Sequence, residues 1–408
     1  MCEQGSGLRS SAARIFAGLC LLVSSFSVVA NDDQCIPESQ VLLPASKEVI
    51  SYIALVDKVK NESVVLLGEH HDNMEHHRWQ LQTITGLHLS NPNLALGFEM
   101  FPRGMQPVLD SWVAGELTRE EFLSQSGWAK NWSFDPDLYM LLFQYARMNK
   151  IPMYALNVER SFIQAVGDKG WDDVPSERRE GVTKPAPATE GYKQMLAGVF
   201  AQHGAKHGQD EETMSKESLD HIYAMPMFQR FVMGQQVWDR AMAQVISKVV
   251  QENKPDMFIG VMGSGHMMNY YGVPEQLADL GLEKPSVLIP WDPEFKCSYI
   301  SETFADAIIG LVPEKMEPEH EIEKPRLGVY LEATEKGVLI TRVAKESLAE
   351  ALGMQKDDLI VSMAGRDITT VEQVIELVQS TQWGTWLPLA ILREDERISL
   401  VAKFSAQN

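Results

Sequence analysis

Four of the ten histidines fall within eight residues, in the run Gly68-Glu69-His70-His71-Asp72-Asn73-Met74-Glu75-His76-His77, and another closes the turn Gly263-Ser264-Gly265-His266. Imidazole beside carboxylate is a donor set for zinc, iron, manganese or cobalt ions, and imidazole also ligates haem iron. Glycines ahead of the histidines let the backbone turn sharply and come close to a ligand. Two further clusters carry chemistry: Glu99 in LGFEMFPR, with Arg103 just after it, and Leu156-Asn157-Val158-Glu159-Arg160. On a helix starting near Asn73, one of His76 and His77 is expected to face the same pocket and the other solvent. Gln80 lies on their face of that helix. No C-x-x-C-H run occurs, which excludes covalent haem attachment, and no H-E-x-x-H zinc-protease helix is present.

The elements that carry these groups form an α/β pattern. Apolar runs predict strands over Ser63–Gly68, Leu94–Met100, Pro152–Asn157, Asp256–Met262 and Ser286–Trp291. Their continuous hydrophobicity fits a mainly parallel sheet covered on both faces. Segments spaced near 3.6, including Glu75–Thr85, Pro107–Glu116 and Ser161–Val166, predict flanking helices. Asp168 to about Thr189 reads as a loop excursion with three prolines. Tyr192–Val250 reads as a helical segment rich in methionine (Met195, Met214, Met225, Met227, Met233 and Met242), either core filler or a soft apolar lid over a flat ligand. All four clusters lie at the carboxyl ends of predicted strands, where open parallel sheets bind ligands, so they point to one pocket.

A chain of 408 residues implies two domains, and residues 312–324, including PEKMEPEHEIEK, have the composition of a linker. The expected layout is a signal peptide over 1–30, a first domain over 31–311 and a second over 325–404. A net charge of −20 argues against nucleic acid and anionic membrane surfaces as partners. Arg9 and Arg14, the apolar stretch Ile15–Val29 and the small-residue site Val28-x-Ala30 predict export across the inner membrane to the periplasm. Leu19 before Cys20 and Gln34 before Cys35 fit a lipoprotein site poorly. Cys35 and Cys297 are then the remaining pair in an oxidising compartment, and a disulfide between them is expected.

LLGEHHDNMEHHRWQ resembles the opening motif of the ChaN-like haem-binding family of the Tiki/TraB superfamily. GQQVWDRAMAQVI resembles its later helix, and GVMGSGHMMNYYGVPEQL its second glycine-histidine motif, over about Val41 to Trp291. The resemblance implies haem binding connected with iron uptake, with His70, His71 and His266 as cofactor residues. It also implies a tyrosine from the helical region, for which Tyr223 is the candidate. In Tiki-type relatives it implies instead a metal-dependent peptidase: Glu69, His71, Glu99 and His266 around a manganese, cobalt or zinc ion, with Glu69 or Glu99 as general base. A haem held between two copies would make a homodimer. Residues 325–404 resemble a bacterial PDZ domain through RLGVYLEATEKGVLITRVAKESLAEALGMQKDDLIVSMAGRDI. Leu327, Gly328 and Val329 would form its carboxylate-binding loop, taking peptide or protein C-termini as an added strand. Asp357 stands where a glycine usually precedes the aspartate, here Asp358.

Overall fold

The computed structural model describes residues 35–204, 215–291, 296–312, 325–334 and 336–405. The expected signal segment, Met214 and nearly all of the expected linker lie outside the described residues. The chain forms two compact units, dividing after residue 314.

The first unit opens with β1 (Gln40–Leu43), β2 (Glu48–Ser51), α1 (Tyr52–Val59), β3 (Val64–Leu67), α2 (Met74–His88) and β4 (Leu94–Pro102). There follow α3 (Gln106–Ala114), α4 (Arg119–Gln125), α5 (Trp128–Asn131), α6 (Asp137–Asn149), β5 (Met153–Asn157) and α7 (Arg160–Lys169). It closes with α8 (Glu190–Gly204), α9 (Lys216–Ala224), α10 (Pro226–Glu252), β6 (Met257–Val261), α11 (Val273–Asp279), β7 (Ser286–Trp291) and β8 (Ala307–Gly310). The strands form one sheet in the order β2-β1-β8-β7-β3-β6-β4-β5. The pairs from β8 to β5 are parallel, and β1 and β2 add an antiparallel edge. The five expected strands are all present; β1, β2 and β8, of four residues each, are additional.

Both faces of the sheet are covered, which is why its strands are apolar throughout. In β3, Val65 and Leu67 join a core with Trp79 and Ile84 of α2 and Tyr139, Leu142 and Phe143 of α6. Val64 and Leu66 point the other way, into a core with Met242, Ala243 and Ile246 of α10 and Leu277 of α11. This alternation decides where the polar residues beyond the strands go. The Met-rich segment resolves into α8, α9 and α10, but its methionines do not share a wall. Met242 is fully buried in the core under the sheet, Met227 is 65% exposed, Met195 and Met225 pack against Tyr192 and Phe228, and Met233 packs in a separate cluster with Phe162 and Val237. Their helical phases differ, so they face different neighbours. No helix of the described residues is long and apolar enough to cross a membrane. Cys35 and Cys297 are bonded, with Cα atoms 5.3 Å apart.

The second unit contains β9 (Val329–Thr334), β10 (Gly337–Val343), α12 (Leu348–Ala351), β11 (Leu359–Met363), β12 (Arg366–Asp367), α13 (Val371–Gln379), β13 (Trp386–Arg393) and β14 (Glu396–Lys403). Its antiparallel sheet runs β14-β13-β11-β10-β9, with β12 on β11, and ends at β9. Leu327 is buried in this unit's core, Gly328 has a φ of 81°, and Val329 begins β9. Asp357 does adopt the left-handed conformation of the glycine it replaces, with a φ of 72°. Asp358 is buried and accepts from Arg393 Nε at 2.7 Å and from the Gln355 N–H.

Candidate functional site

Three of the four strand-end clusters meet where β3, β6 and β4 lie side by side. The two glycine-histidine turns are tied by the Ser264 N–H, which donates to the Glu69 carbonyl at 3.0 Å. A Cβ on Gly68 would lie 2.6 Å from Ser264 Oγ, so a side chain there would push the turns apart. A Cβ on Gly263 would lie 2.9 Å from His71 Cε1; the His71 ring rests directly on that backbone.

Glu69 continues the alternation of Val65 and Leu67 and enters the face covered by α2 and α6. Its side chain is fully buried, with Oε1 accepting from Tyr139 O–H at 2.7 Å and Oε2 from Gln80 Nε2 at 2.9 Å. His71 Nδ1 sits 2.8 Å from the same Oε1. A carboxylate only accepts, so in the neutral ring Nδ1 carries the proton and Nε2 is left as an acceptor. The His71 side chain retains 28% of its exposure and packs edge-on against Trp132 and tilted against Phe134, two rings that also touch each other. Burial works against its charge, but the bond to Glu69 and the charge of Glu99 outweigh this and raise its pKa.

On the other face, α10 contributes Asp239, which is fully buried. Asp239 Oδ1 lies 2.6 Å from His266 Nδ1, and Oδ2 accepts from Tyr192 O–H of α8 at 2.6 Å. His266 Nε2 faces Glu99 Oε1 at 3.4 Å, and Glu99 Oε2 accepts the Gly263 N–H at 2.8 Å. Glu99 is aimed here by a bulge: Phe98 pairs with Ala155, yet the next pair in the ladder is Pro102 with Asn157. Burial opposes every charge in this group. Even so, His266 is held well above its ordinary pKa by Glu99 and Asp239, and Glu99 is held down to about 2 by His266. Asp239 moves the opposite way, because burial outweighs the help of His266. The two networks, Tyr139–Glu69–His71 and Tyr192–Asp239–His266–Glu99, arise on opposite faces and join over Gly263.

Apart from His77, the remaining sequence candidates fall elsewhere. His76 and His77 are both buried, so neither faces solvent as expected. The turn at residues 70–73 folds back over the start of α2, and the His70 N–H donates to His76 Nδ1 at 2.8 Å. Burial pushes the His76 pKa down to about 3. His77 is the one of the pair that faces the site: its Nδ1 lies 3.1 Å from Gln80 Oε1 and 3.5 Å from Glu69 Oε2, its ring packs on Tyr139, and its Nε2 lies 3.2 Å from the His71 carbonyl. Arg103 is spent on the backbone carbonyls of Glu180 and Ala241. In the fourth cluster Asn157 accepts from the Val158 N–H, and the Glu159 N–H goes to the Glu180 carboxylate. Tyr223 stacks on Phe228 in the α8–α10 cluster that also holds Tyr192. Among the described residues no group of three or more His, Cys, Asp or Glu is placed to hold a metal ion. A cleft of about 590 Å³ lined by Arg103, Tyr154, Glu180, Lys248 and Glu252 includes none of the histidines. Tyr139, Tyr192 and Asp239 were not singled out from the sequence. The available signal for Asp239 was an acid on the buried stripe of α10, in step with Val232, Gln236 and Ala243.

The family model for haem-binding uptake proteins of the Tiki superfamily, ChaN, matches residues 55–277, and a PDZ domain model matches residues 339–382. No curated protein matches the chain. Among solved structures, cofacial haem binding is described for ChaN of Campylobacter jejuni, which is 20% identical with a TM-score of 0.51 over 67% of this chain and 98% of that one. The HtrA-type protease AlgW with a decapeptide is 18% identical over 21% of this chain and 30% of that one, with a TM-score of 0.20. The PDZ domain of HtrA3 with a phage-derived ligand is 20% identical over 20% of this chain and 84% of that one, with a TM-score of 0.18. The first unit carries the ChaN-like fold and the second is a PDZ region, and the chain belongs to the haem-binding uptake family of the Tiki superfamily.

Proposed function

We propose that this is an exported haem-binding protein that takes up or hands on haem at the edge of β3, β6 and β4, with a PDZ unit that binds peptide or protein C-termini. The observation that carries the reading is His71. Its inner nitrogen is held by a buried carboxylate, its outer nitrogen is an acceptor in the neutral ring, and the paired rings of Trp132 and Phe134 pack against it. That donor set fits haem: an imidazole nitrogen for the iron and aromatic surface for the macrocycle. Haem would supply an iron for which the His71 nitrogen would be a donor. His266 serves differently, since both of its nitrogens face carboxylates and it fixes Glu99 and the Gly263 turn. The bond between Cys35 and Cys297 supports an oxidising compartment, in keeping with export to the periplasm. In the PDZ unit, β9 ends its sheet and has α13 beside it, which supports strand addition of a peptide there.

The same residues do not fit a metal-dependent peptidase. Glu69 has its oxygens taken by His71, Tyr139 and Gln80, and His266 lacks a free nitrogen, so the four residues do not make one ligand set. Haemin titration of the purified protein, followed at the Soret band, tests the proposal. Saturable uptake that His71→Ala weakens at least tenfold is expected. No saturable uptake, or a His71→Ala curve that overlays the wild type, would overturn it.

A further inference from the structure

We infer that Tyr139 is a positioning residue: through Glu69 it fixes which nitrogen of His71 is presented outward. This rests on His71 being the haem-facing residue, but the positioning is a property of the ligand-free protein and is measurable there. The Tyr139 hydroxyl donates to Glu69 Oε1 at 2.7 Å and lies 3.3 Å from the His71 carbonyl, so it touches both the group that holds the imidazole and the backbone that carries it. The same Oε1 meets His71 Nδ1 at 2.8 Å. Gln80 secures the other oxygen and also donates to the Gly68 carbonyl at 3.1 Å, locking the carboxylate to the turn. Tyr139 has no freedom of its own: it is fully buried, lies parallel to Phe143 and meets the edge of Trp128. A carboxylate held on both oxygens by donors, at a site closed to water, leaves His71 one arrangement, with the proton on Nδ1 and the lone pair on Nε2. Without the hydroxyl, Oε1 can swing away and the ring can exchange its tautomers.

The test uses the full chain with ¹⁵N-labelled histidine, recorded at alkaline pH where His71 is neutral, together with haemin titration. Wild-type His71 should give the shifts of a ring protonated at Nδ1. In Tyr139→Phe those shifts should average toward both tautomers, and haem affinity should fall about 10- to 100-fold, the usual cost of removing a group behind a ligand. Tyr145→Phe is the control. It removes a hydroxyl from the same helix that serves His88 instead, 2.9 Å away, and should leave both readouts at wild-type values. If Tyr139→Phe does not fold, Glu69→Gln takes its place, because its amide sets a donor against Gln80, Tyr139 or His71. A wild-type ring protonated at Nε2 overturns the inference at once. So does Tyr139→Phe with wild-type shifts and wild-type affinity. A Nδ1-protonated ring that relaxes in Tyr139→Phe, in a protein that takes up no haem, keeps the positioning and removes the haem reading.

Discussion

Replacing Asp239 by Asn isolates the energetics of the second network. The side chain keeps its shape, but two short charge-assisted bonds, to His266 Nδ1 and from Tyr192 O–H, become neutral ones. Each such exchange costs about 1 to 1.5 kcal/mol. The amide N–H₂ must also face one of two donors, which adds to the loss, while removing a buried charge whose pKa is already raised by burial gives part of it back. The net expectation is about 2 to 3 kcal/mol, or roughly 5 to 10 °C in the melting temperature of a unit this size. The effect has a pH signature. His266 has a folded pKa above its ordinary value, so its contribution is complete below about pH 6.5 and is lost as pH rises through the folded value. In Asp239→Asn that folded value drops and the contribution shrinks. The stability gap between wild type and variant should therefore be widest in mildly acidic solution and close toward alkaline pH. Asp239, whose folded pKa is also raised, adds to wild-type stability as pH falls through that value and so holds the gap open in acid. Urea unfolding across this range, followed by tryptophan fluorescence, reports mainly on the first unit, which holds seven of the nine tryptophans. A gap that is flat with pH, or that widens toward alkaline pH, would refute the assignment of His266 as a cation held between Glu99 and Asp239.

Three further outcomes are expected. Glu99, with its folded pKa near 2, stabilises the protein above the ordinary carboxylate value of 4.5 and loses that contribution as pH falls; the loss is about 3 kcal/mol and should vanish from the acid limb of Glu99→Gln in a pH-dependent melting series. Gly263→Ala puts a methyl against the His71 ring, so it should cost about 1 to 3 kcal/mol and weaken haemin binding, read by melting and by the Soret titration. Cys35→Ser opens a cross-link spanning 262 residues of sequence and should lower stability by about 2 to 5 kcal/mol, with reduced wild type matching the variant in the same denaturation assay.

The fold was readable because its determinants are local. Strands buried on both faces are continuous apolar runs of four or more residues, and helices such as α2 and α10 repeat near 3.6, so five strands and their flanking helices follow from pattern alone. The additions β1, β2 and β8 did not; β1 and β2 are partly exposed and lack the continuous apolar run that marks β3. For the same reason the strand-end clusters could be placed along one edge of the sheet, but their pairings could not be worked out. Periodicity says which face of an element is buried; it does not say which buried polar group meets which.

Tyr139 shows the limit. On α6 it sits among Met140, Leu142 and Phe143 as one more large buried residue, and its partner Glu69 is 70 positions away. The Gly263 N–H reaches Glu99 across 164 positions. His76 and His77 fail for a related reason: a helix wheel leaves one of them outside, but the turn before α2 folds over that side. Asp239 is the intermediate case. Its place on the buried stripe of α10 says that something must neutralise it, because an unpaired carboxylate there would cost several kcal/mol. Only the sheet, by bringing β6 and its histidine turn under that helix, determines that the partner is His266. The residues that do chemistry could thus be found one by one as exceptions to the apolar pattern. The inference that His71 has a bare Nε2 and His266 has none needed the contacts, because it depends on how many donors and acceptors surround each ring.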